Sequence, residues 1–424
     1  SFDPTVLRSG FNDITITADA DPADLWGAVN AKIEAEGDVV PATIRALSFP
    51  ASNGSWTYRA AVMTPSGYLG DVPLPLLVSI HGWSGRALDA LGIHADAANC
   101  KGWLVVAPDL EQNHTLSLSV QGQLLDTIQY MKANYRVDES RIYITGVSMG
   151  GMMASGMVGK YPHLFAAAAI ERGPSDLDQW YWESTDSRRD WLEYEIGASP
   201  LGKPFEYERR SPKEYGANMA HVPMLLTHGR QDTTVYVTHT LWLSEAIGPY
   251  ADIPPVVALY DGDHDTPWPG GSEGVLNFLK PYRRMEVPQS LSIRTDGRCA
   301  FTDRACTYYW LTITQTGSDH WSRVEAAFDE SGVITVNTED PKPPSTSGSV
   351  PSLTFRLDLE QMGLAALSST WVVQNFDAAT GRYTHTNVSS VGGFLAVTPG
   401  WGAHEVRISP PALAPEVHEV ELRA

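Results

Sequence analysis

Residues Arg141-Ile-Tyr-Ile-Thr-Gly146-Val147-Ser148-Met149-Gly150-Gly151 form an apolar strand that runs into Gly-x-Ser-x-Gly and then into small residues. A chain can turn this sharply from strand to helix only where the flanking residues leave room for it to double back. Gly146 and Gly150 therefore mark a nucleophile elbow with Ser148 at its tip. The turn predicts a serine held out at the carboxyl edge of a sheet. A serine hydroxyl is a poor nucleophile at neutral pH, so the chain must also supply a general base and a carboxylate to orient it.

The surrounding pattern predicts that sheet. Apolar runs at Thr57 to Met63, Leu74 to Ile80, Trp103 to Ala107, Arg141 to Thr145, Leu164 to Ile170, Pro223 to Thr227 and Val256 to Tyr260 alternate with helical spacing. Leu124, Ile128, Met131 and Tyr135 show that spacing, and Met149 to Gly159 reads as a small-residue helix. This is the α/β rhythm of a mostly parallel, doubly wound sheet. After Arg284 helical patterns stop and strand-like runs take over: Ser290 to Thr295, Cys306 to Thr314, Trp321 to Phe328, Val333 to Thr338, Leu353 to Leu357, Trp371 to Phe376, Gly393 to Val397 and Glu405 to Ile408. They predict a C-terminal β-sandwich whose Trp310, Trp321 and Trp371 belong to its core.

The expected organisation is an N-terminal cap or edge segment over 1–54, a catalytic domain over 55–284 with an insertion at 173–219, and the sandwich over 285–424. A helical pattern at Ala23 to Glu36 falls in the first segment, and the polar, proline-rich Asp340 to Ser349 reads as a loop between sandwich strands.

Fifty acidic against thirty basic side chains, a formal net charge of −20, argue against nucleic acid or an anionic membrane as partner. No apolar run is long enough to span a membrane, and no cluster has metal-ligand spacing, so neither a span nor a metal or other cofactor is expected. The first residues, Ser1-Phe2-Asp3-Pro4, suggest a trimmed, exported protein. Cys299 and Cys306 are close enough to clasp one hairpin loop, and a disulfide there also implies export. Cys100, at the end of an apolar helical segment, is expected to be a small buried hydrophobe.

Downstream of Ser148, the strand Pro223 to Thr227 ends in His228-Gly-Arg-Gln-Asp232, and the next strand ends in Asp261-Gly-Asp263-His264-Asp265. Asp232 is the candidate acid and His264 the candidate base, in the order Ser, Asp, His. Asp261, Asp263 and Asp265 are alternative carboxylates, too near His264 in sequence to face its inner ring nitrogen easily. His81 and His228 precede glycines in strand-end turns and are expected to shape those loops. The oxyanion donors should be the backbone N–H of Met149 and that of Trp83, in the turn His81-Gly82-Trp83-Ser84-Gly85. The insertion carries Trp180, Tyr181, Trp182, Trp191, Tyr194, Phe205 and Tyr207, which either wall the active edge or pack as a satellite core. In the first case Trp83, Trp180 and Trp182 contact an apolar or aromatic substrate group.

Gly146-Val-Ser148-Met-Gly-Gly151, Lys160-Tyr-Pro-His-Leu-Phe-Ala, Arg210-Ser-Pro and His228-Gly-Arg-Gln-Asp232 resemble the catalytic domain of the prolyl oligopeptidase family, over roughly residues 55 to 283. Trp268-Pro-Gly-Gly271 after His264 is similar instead to the polyhydroxybutyrate depolymerase and feruloyl esterase family. The resemblance implies the α/β-hydrolase fold, with Ser148 as nucleophile, Asp232 as acid and His264 as base. Two departures weigh against a peptidase. About fifty residues ahead of the first apolar run cannot form a propeller, and the oxyanion turn lacks the His-Gly-Gly-Pro of the exopeptidases. The expected activity is a secreted serine carboxylic ester hydrolase acting on aryl, feruloyl or polyester-type esters. A serine peptidase or amidase, or an inactive binding protein, is the alternative.

Overall fold

A computed structural model of the chain describes residues 42–54, 56–110, 114–301, 305–316, 320–339, 353–377, 382–400 and 404–413. The segments Ala23 to Glu36 and Asp340 to Ser349 lie outside the described residues.

Eight strands form the central sheet: β1 (Thr43–Pro50), β2 (Thr57–Thr64), β3 (Leu74–Ile80), β4 (Leu104–Pro108), β5 (Val137–Val147), β6 (Ala167–Glu171), β7 (Met224–Gly229) and β8 (Val256–Tyr260). Their order is β1-β2-β4-β3-β5-β6-β7-β8. Pairs β1·β2 and β2·β4 are antiparallel and the rest parallel. Alternation along each strand explains the two faces. Leu76, Val78, Leu104 and Val106 join one apolar cluster, while Leu77, Val105 and Tyr143 join the other. Strand β1 adds an edge to this sheet from a stretch whose sequence pattern had suggested no strand.

The helices are α1 (Ala87–Lys101), α2 (Leu118–Asn134), α3 (Met149–Lys160), α4 (Leu177–Glu183), α5 (Asp186–Ile196), α6 (Pro204–Glu208), α7 (Thr238–Ile247) and α8 (Gly271–Leu279). Every residue of α3 is buried. A Cβ on its Gly159 would stand 2.5 Å from the Tyr215 Cβ, so the helix packs as closely as it does only because it is built of small residues. Cys100 departs from expectation. It is exposed, because Ala97 and Ala98 take the inward face of α1.

Beyond Arg284 come β9 (Ser290–Thr295), β10 (Ala305–Tyr308), β11 (Leu311–Gln315), β12 (Ser322–Phe328), β13 (Ile334–Glu339), β14 (Leu353–Asp358), β15 (Thr370–Asp377), β16 (Arg382–Ser389), β17 (Phe394–Gly400) and β18 (His404–Ser409). They form two antiparallel sheets, β10-β11-β14-β17 and β16-β15-β18-β13-β12-β9. The run Cys306 to Thr314 is a hairpin rather than one strand, turning at Tyr309, whose φ is +54°. Trp310 and Trp371 are core. Trp321 is half-buried, and its ring lies 4.2 Å from the Arg294 guanidinium.

These sheets are joined to the α/β layer by a polar lock. The ammonium of Lys160, at the end of α3, is fully buried and donates to both carboxylate oxygens of Asp296 at 2.8 and 2.9 Å and to the Arg298 carbonyl at 3.0 Å. Arg298 reaches back to Glu206 at 2.9 Å, and the Ala300 N–H donates to the Tyr161 hydroxyl at 2.8 Å. A disulfide joins Cys299 to Cys306 across this loop, with Cα atoms 5.4 Å apart.

Candidate active site

Ser148 sits between β5 and α3 with φ +58° and ψ −124°, a conformation that costs a non-glycine residue free energy and is held by its surroundings. The crowding is measurable. A Cβ on Gly146 would lie 2.2 Å from the Gly150 carbonyl oxygen, and one on Gly150 would lie 2.2 Å from that of Ile80. The Ser148 N–H donates to the Glu171 carbonyl at 2.9 Å, which ties the elbow to the end of β6.

Strands β7 and β8 end beside it. His264 Nε2 lies 2.9 Å from Ser148 Oγ, and His264 Nδ1 lies 2.7 Å from Asp232 Oδ2. A carboxylate only accepts, so Nδ1 carries the proton and Nε2 presents its lone pair to the serine hydroxyl. Asp232 is buried, and its Oδ1 accepts from the backbone N–H groups of Thr234 and Val235 at 2.8 and 2.9 Å. Burial alone would raise its pKa. Hydrogen bonds from His228, His264 and Val235 outweigh that and hold it well below the usual carboxylate range.

His228 stands behind the acid. Its Nε2 is 2.8 Å from the Val235 carbonyl and 3.2 Å from Asp232 Oδ2, and its Nδ1 is 2.7 Å from Thr240 Oγ1. Since a carbonyl cannot donate, Nε2 carries the proton and His228 serves as a donor that fixes the Asp232 loop. Of the other carboxylates near His264, Asp263 is occupied elsewhere: its Oδ1 accepts from the N–H and hydroxyl of Thr266 at 3.0 and 2.7 Å.

Residues 119–264 match the prolyl oligopeptidase family model. The Bacillus subtilis (strain 168) protein called uncharacterized peptidase YtmA is 28% identical over 35% of this chain. Poly(3-hydroxyalkanoate) depolymerase C of Paucimonas lemoignei is 34% identical over 26% of it, and acetylxylan esterase A of Emericella nidulans 25% identical over 38%. The chain has the α/β-hydrolase fold, and the part of it that these comparisons match is similar to serine hydrolases of both the peptidase and the esterase kind. It spans 59%, 30% and 57% of the lengths of these three relatives.

The turn expected to hold the oxyanion abuts the elbow, for a Cβ on Gly82 would come within 3.6 Å of the Ser148 Cβ. Met149 is the first residue of α3, so its N–H is among those a helix leaves without an internal acceptor. Trp83 is half-buried, its ring edge-on to Trp191 at 4.8 Å and to Trp180 at 6.4 Å. Trp180 is buried and donates to the Thr234 carbonyl at 3.2 Å, two residues beyond Asp232. Trp182 is exposed and donates to Asp178 at 2.8 Å. Of the insertion's aromatics, Trp180, Tyr181, Tyr207 and Tyr215 belong to the main core.

Three supports escaped the sequence reading. Arg172, with φ +42°, donates to the Tyr260 hydroxyl at 2.9 Å and the Thr266 carbonyl at 3.3 Å, bracing the His264 loop from β6. Thr115, Arg210 and Glu195 form a buried network that ties the β4–α2 connection to the insertion. His239 lies 3.0 Å from Glu183 and accepts from the Ser175 N–H at 3.2 Å, which holds the start of the insertion. Each joins residues far apart in the chain, so no local spacing signals it.

Proposed function

We propose that the protein is a carboxylic ester hydrolase in which Ser148, His264 and Asp232 act as nucleophile, general base and orienting acid. The observation that carries this reading is the 2.9 Å approach of His264 Nε2 to Ser148 Oγ, with Asp232 2.7 Å behind the ring. His264 takes the hydroxyl proton as Oγ attacks the ester carbonyl, and Asp232 stabilises the imidazolium that results. Negative charge develops on the carbonyl oxygen, where the N–H groups of Met149 and Trp83 are the proposed donors. Collapse expels the alcohol with the proton from His264. Water activated by the same ring then frees the acid and restores Ser148.

Esters carried on aryl, feruloyl or polyester groups are the proposed substrates, supported by relatives whose names specify a polyester and an acetylated polysaccharide. A peptidase reading is favoured by the family model over residues 119–264 and by the Bacillus subtilis relative. The disulfide Cys299–Cys306 supports an extracytoplasmic location, since such bonds persist in oxidising compartments.

The test is hydrolysis by wild type and Ser148→Ala of p-nitrophenyl esters, methyl hydroxycinnamates and peptide anilides, including a proline anilide. Ester turnover lost in the variant, with anilides untouched, is expected. Anilide turnover at comparable rates would replace the esterase reading with the peptidase one, and failure of a fluorophosphonate to label Ser148 would sink both.

A further inference from the structure

The sheet edge that carries Ser148 also carries a second concave surface of about 630 Å³ that the hydrolytic residues do not line. Register fixes its place. Pro108, at the end of β4, pairs with Ala60 near the start of antiparallel β2, so the β1–β2 turn lies at the same edge as the end of β5. Three strand spacings, β5 to β3 to β4 to β2, put it roughly 14 Å across the sheet from the elbow.

The turn contributes Ser52, Asn53 and Trp56, β2 contributes Tyr58, α2 contributes Ser119, and the disulfide loop contributes Phe301. Trp56 is 72% exposed and Phe301 51%. Exposed aromatic surface gathered in a concavity marks a contact site. Phe301 is held outward at a cost, with φ +64° in a loop fixed by the Cys299–Cys306 bond and by the Ala300 N–H on the Tyr161 hydroxyl. Helix α2 makes room for it: a Cβ on Gly122 would stand 3.0 Å from the Phe301 ring. Among the described residues no charged side chain is part of the lining, and a carboxylate beside it, that of Asp126, accepts from the Ser52 N–H at 2.9 Å.

We propose that this groove binds a neutral polysaccharide chain, with sugar C–H faces on Trp56 and Phe301 and sugar hydroxyls on the hydroxyl and amide side chains between them. The electron-rich ring faces suit polarised C–H groups, and hydroxyl and amide side chains both donate and accept, as sugar hydroxyls do. A polyester only accepts hydrogen bonds, and an anionic polymer would meet the Asp126 carboxylate beside Ser52 with no cation in the described lining. The inference rests on the ester-hydrolase reading in one respect: esters carried on the bound chain would be delivered to Ser148 along the shared edge.

The experiment is affinity electrophoresis of Ser148→Ala in gels containing unesterified xylan, mannan or β-glucan, using protein made without N-glycosylation because Asn53 lies in an Asn-Gly-Ser sequon. At least one neutral glycan should retard the protein, and Trp56→Ala and Phe301→Ser should each weaken retardation by up to about tenfold. With Ser148 restored, the same changes should raise KM on the esterified glycan by a like factor and leave kcat/KM on p-nitrophenyl acetate unchanged. Retardation by no neutral glycan, or equal retardation of Trp56→Ala, overturns the proposal. So does Trp56-dependent adsorption to poly(3-hydroxybutyrate) granules without glycan binding. Glycan binding in an enzyme that hydrolyses no ester would support the groove and sink the ester reading alone.

Discussion

Replacing Asp232 by Asn removes one charge and almost no volume, yet four N–H donors converge on this carboxylate. Oδ1 takes those of Thr234 and Val235 at 2.8 and 2.9 Å, and Oδ2 takes those of His264 and His228 at 2.7 and 3.2 Å. An Asn oxygen can serve only one pair. If it turned toward the histidines, its NH2 would face two backbone donors that cannot change, leaving buried N–H groups unpaired at about 1–3 kcal/mol each. The cheaper arrangement keeps the oxygen on Thr234 and Val235 and aims the NH2 at His264. The imidazole then moves its proton to Nε2, where it donates to Ser148 Oγ and cannot accept from it. The expected loss is about 10⁴-fold in kcat, on the order of 5.5 kcal/mol in the barrier, with KM for a small ester little changed.

Stopped-flow turnover of p-nitrophenyl acetate and the second-order rate of fluorophosphonate labelling should fall together, because both depend on activating the same oxygen. Stability supplies an independent readout. The Asp232 pKa is depressed in the folded state, so its ionised form contributes stability above the ordinary value of 3.8 and loses it as pH falls toward the folded value. The stability gap between wild type and Asp232→Asn should therefore narrow as pH falls below about 3.8. Retention of more than a hundredth of wild-type kcat, or a comparable loss in Asp263→Asn, would refute this assignment of the orienting acid.

Lys160→Met should destabilise the protein by about 3–5 kcal/mol in urea unfolding, because Asp296 is left buried with the Arg209 guanidinium at 3.9 Å and the Arg298 N–H at 3.3 Å in place of the ammonium; adding Asp296→Leu should recover most of the loss. Burial pushes Glu206 up, but Arg209, Arg210 and Arg298 outweigh it and draw its pKa down to about 2. Its contribution to stability is present above about 4.5 and lost as pH falls toward 2, so Glu206→Gln should flatten the acid limb of a stability–pH curve in that window. Gly146→Ala should cost more than about 3 kcal/mol or prevent soluble expression, because the new Cβ meets the Gly150 backbone at 2.2 Å; Gly92→Ala, which meets nothing within 4 Å, is the control in thermal melts.

The parts of the fold legible in sequence are those governed by neighbours along the chain. The run Leu74 to Ile80 is a strand with the expected bounds because a strand covered on both faces must be apolar throughout, and Val256 to Tyr260 is one with the expected bounds too, although it lies at the sheet's edge with Val256 exposed. The elbow was readable because its glycines flank Ser148 at a fixed spacing, although Gly150 is required by the Ile80 carbonyl of β3 rather than by a neighbour in the chain. Strand β16 shows the limit. Its Arg-Tyr-Thr-His-Thr-Asn-Val-Ser carries no apolar face, and it is a strand because β15 offers it an edge. Cys100 shows it differently, since two small residues already filled the inner face of α1.

The insertion is where local reading had to leave two roles open, and the geometry gives both to one set of rings. Trp180 is core on one side and meets Trp83 on the other, while its indole N–H holds the Thr234 carbonyl in the loop that begins at Asp232. Trp191 closes on the same Trp83 ring from α5. Packing in this cluster therefore fixes the turn beside Ser148 and the loop behind His264 together. Trp180 is buried in this cluster, whereas Trp83 and Trp191 are each half-buried. The positional precision of the site therefore depends on buried contacts that no stretch of sequence displays.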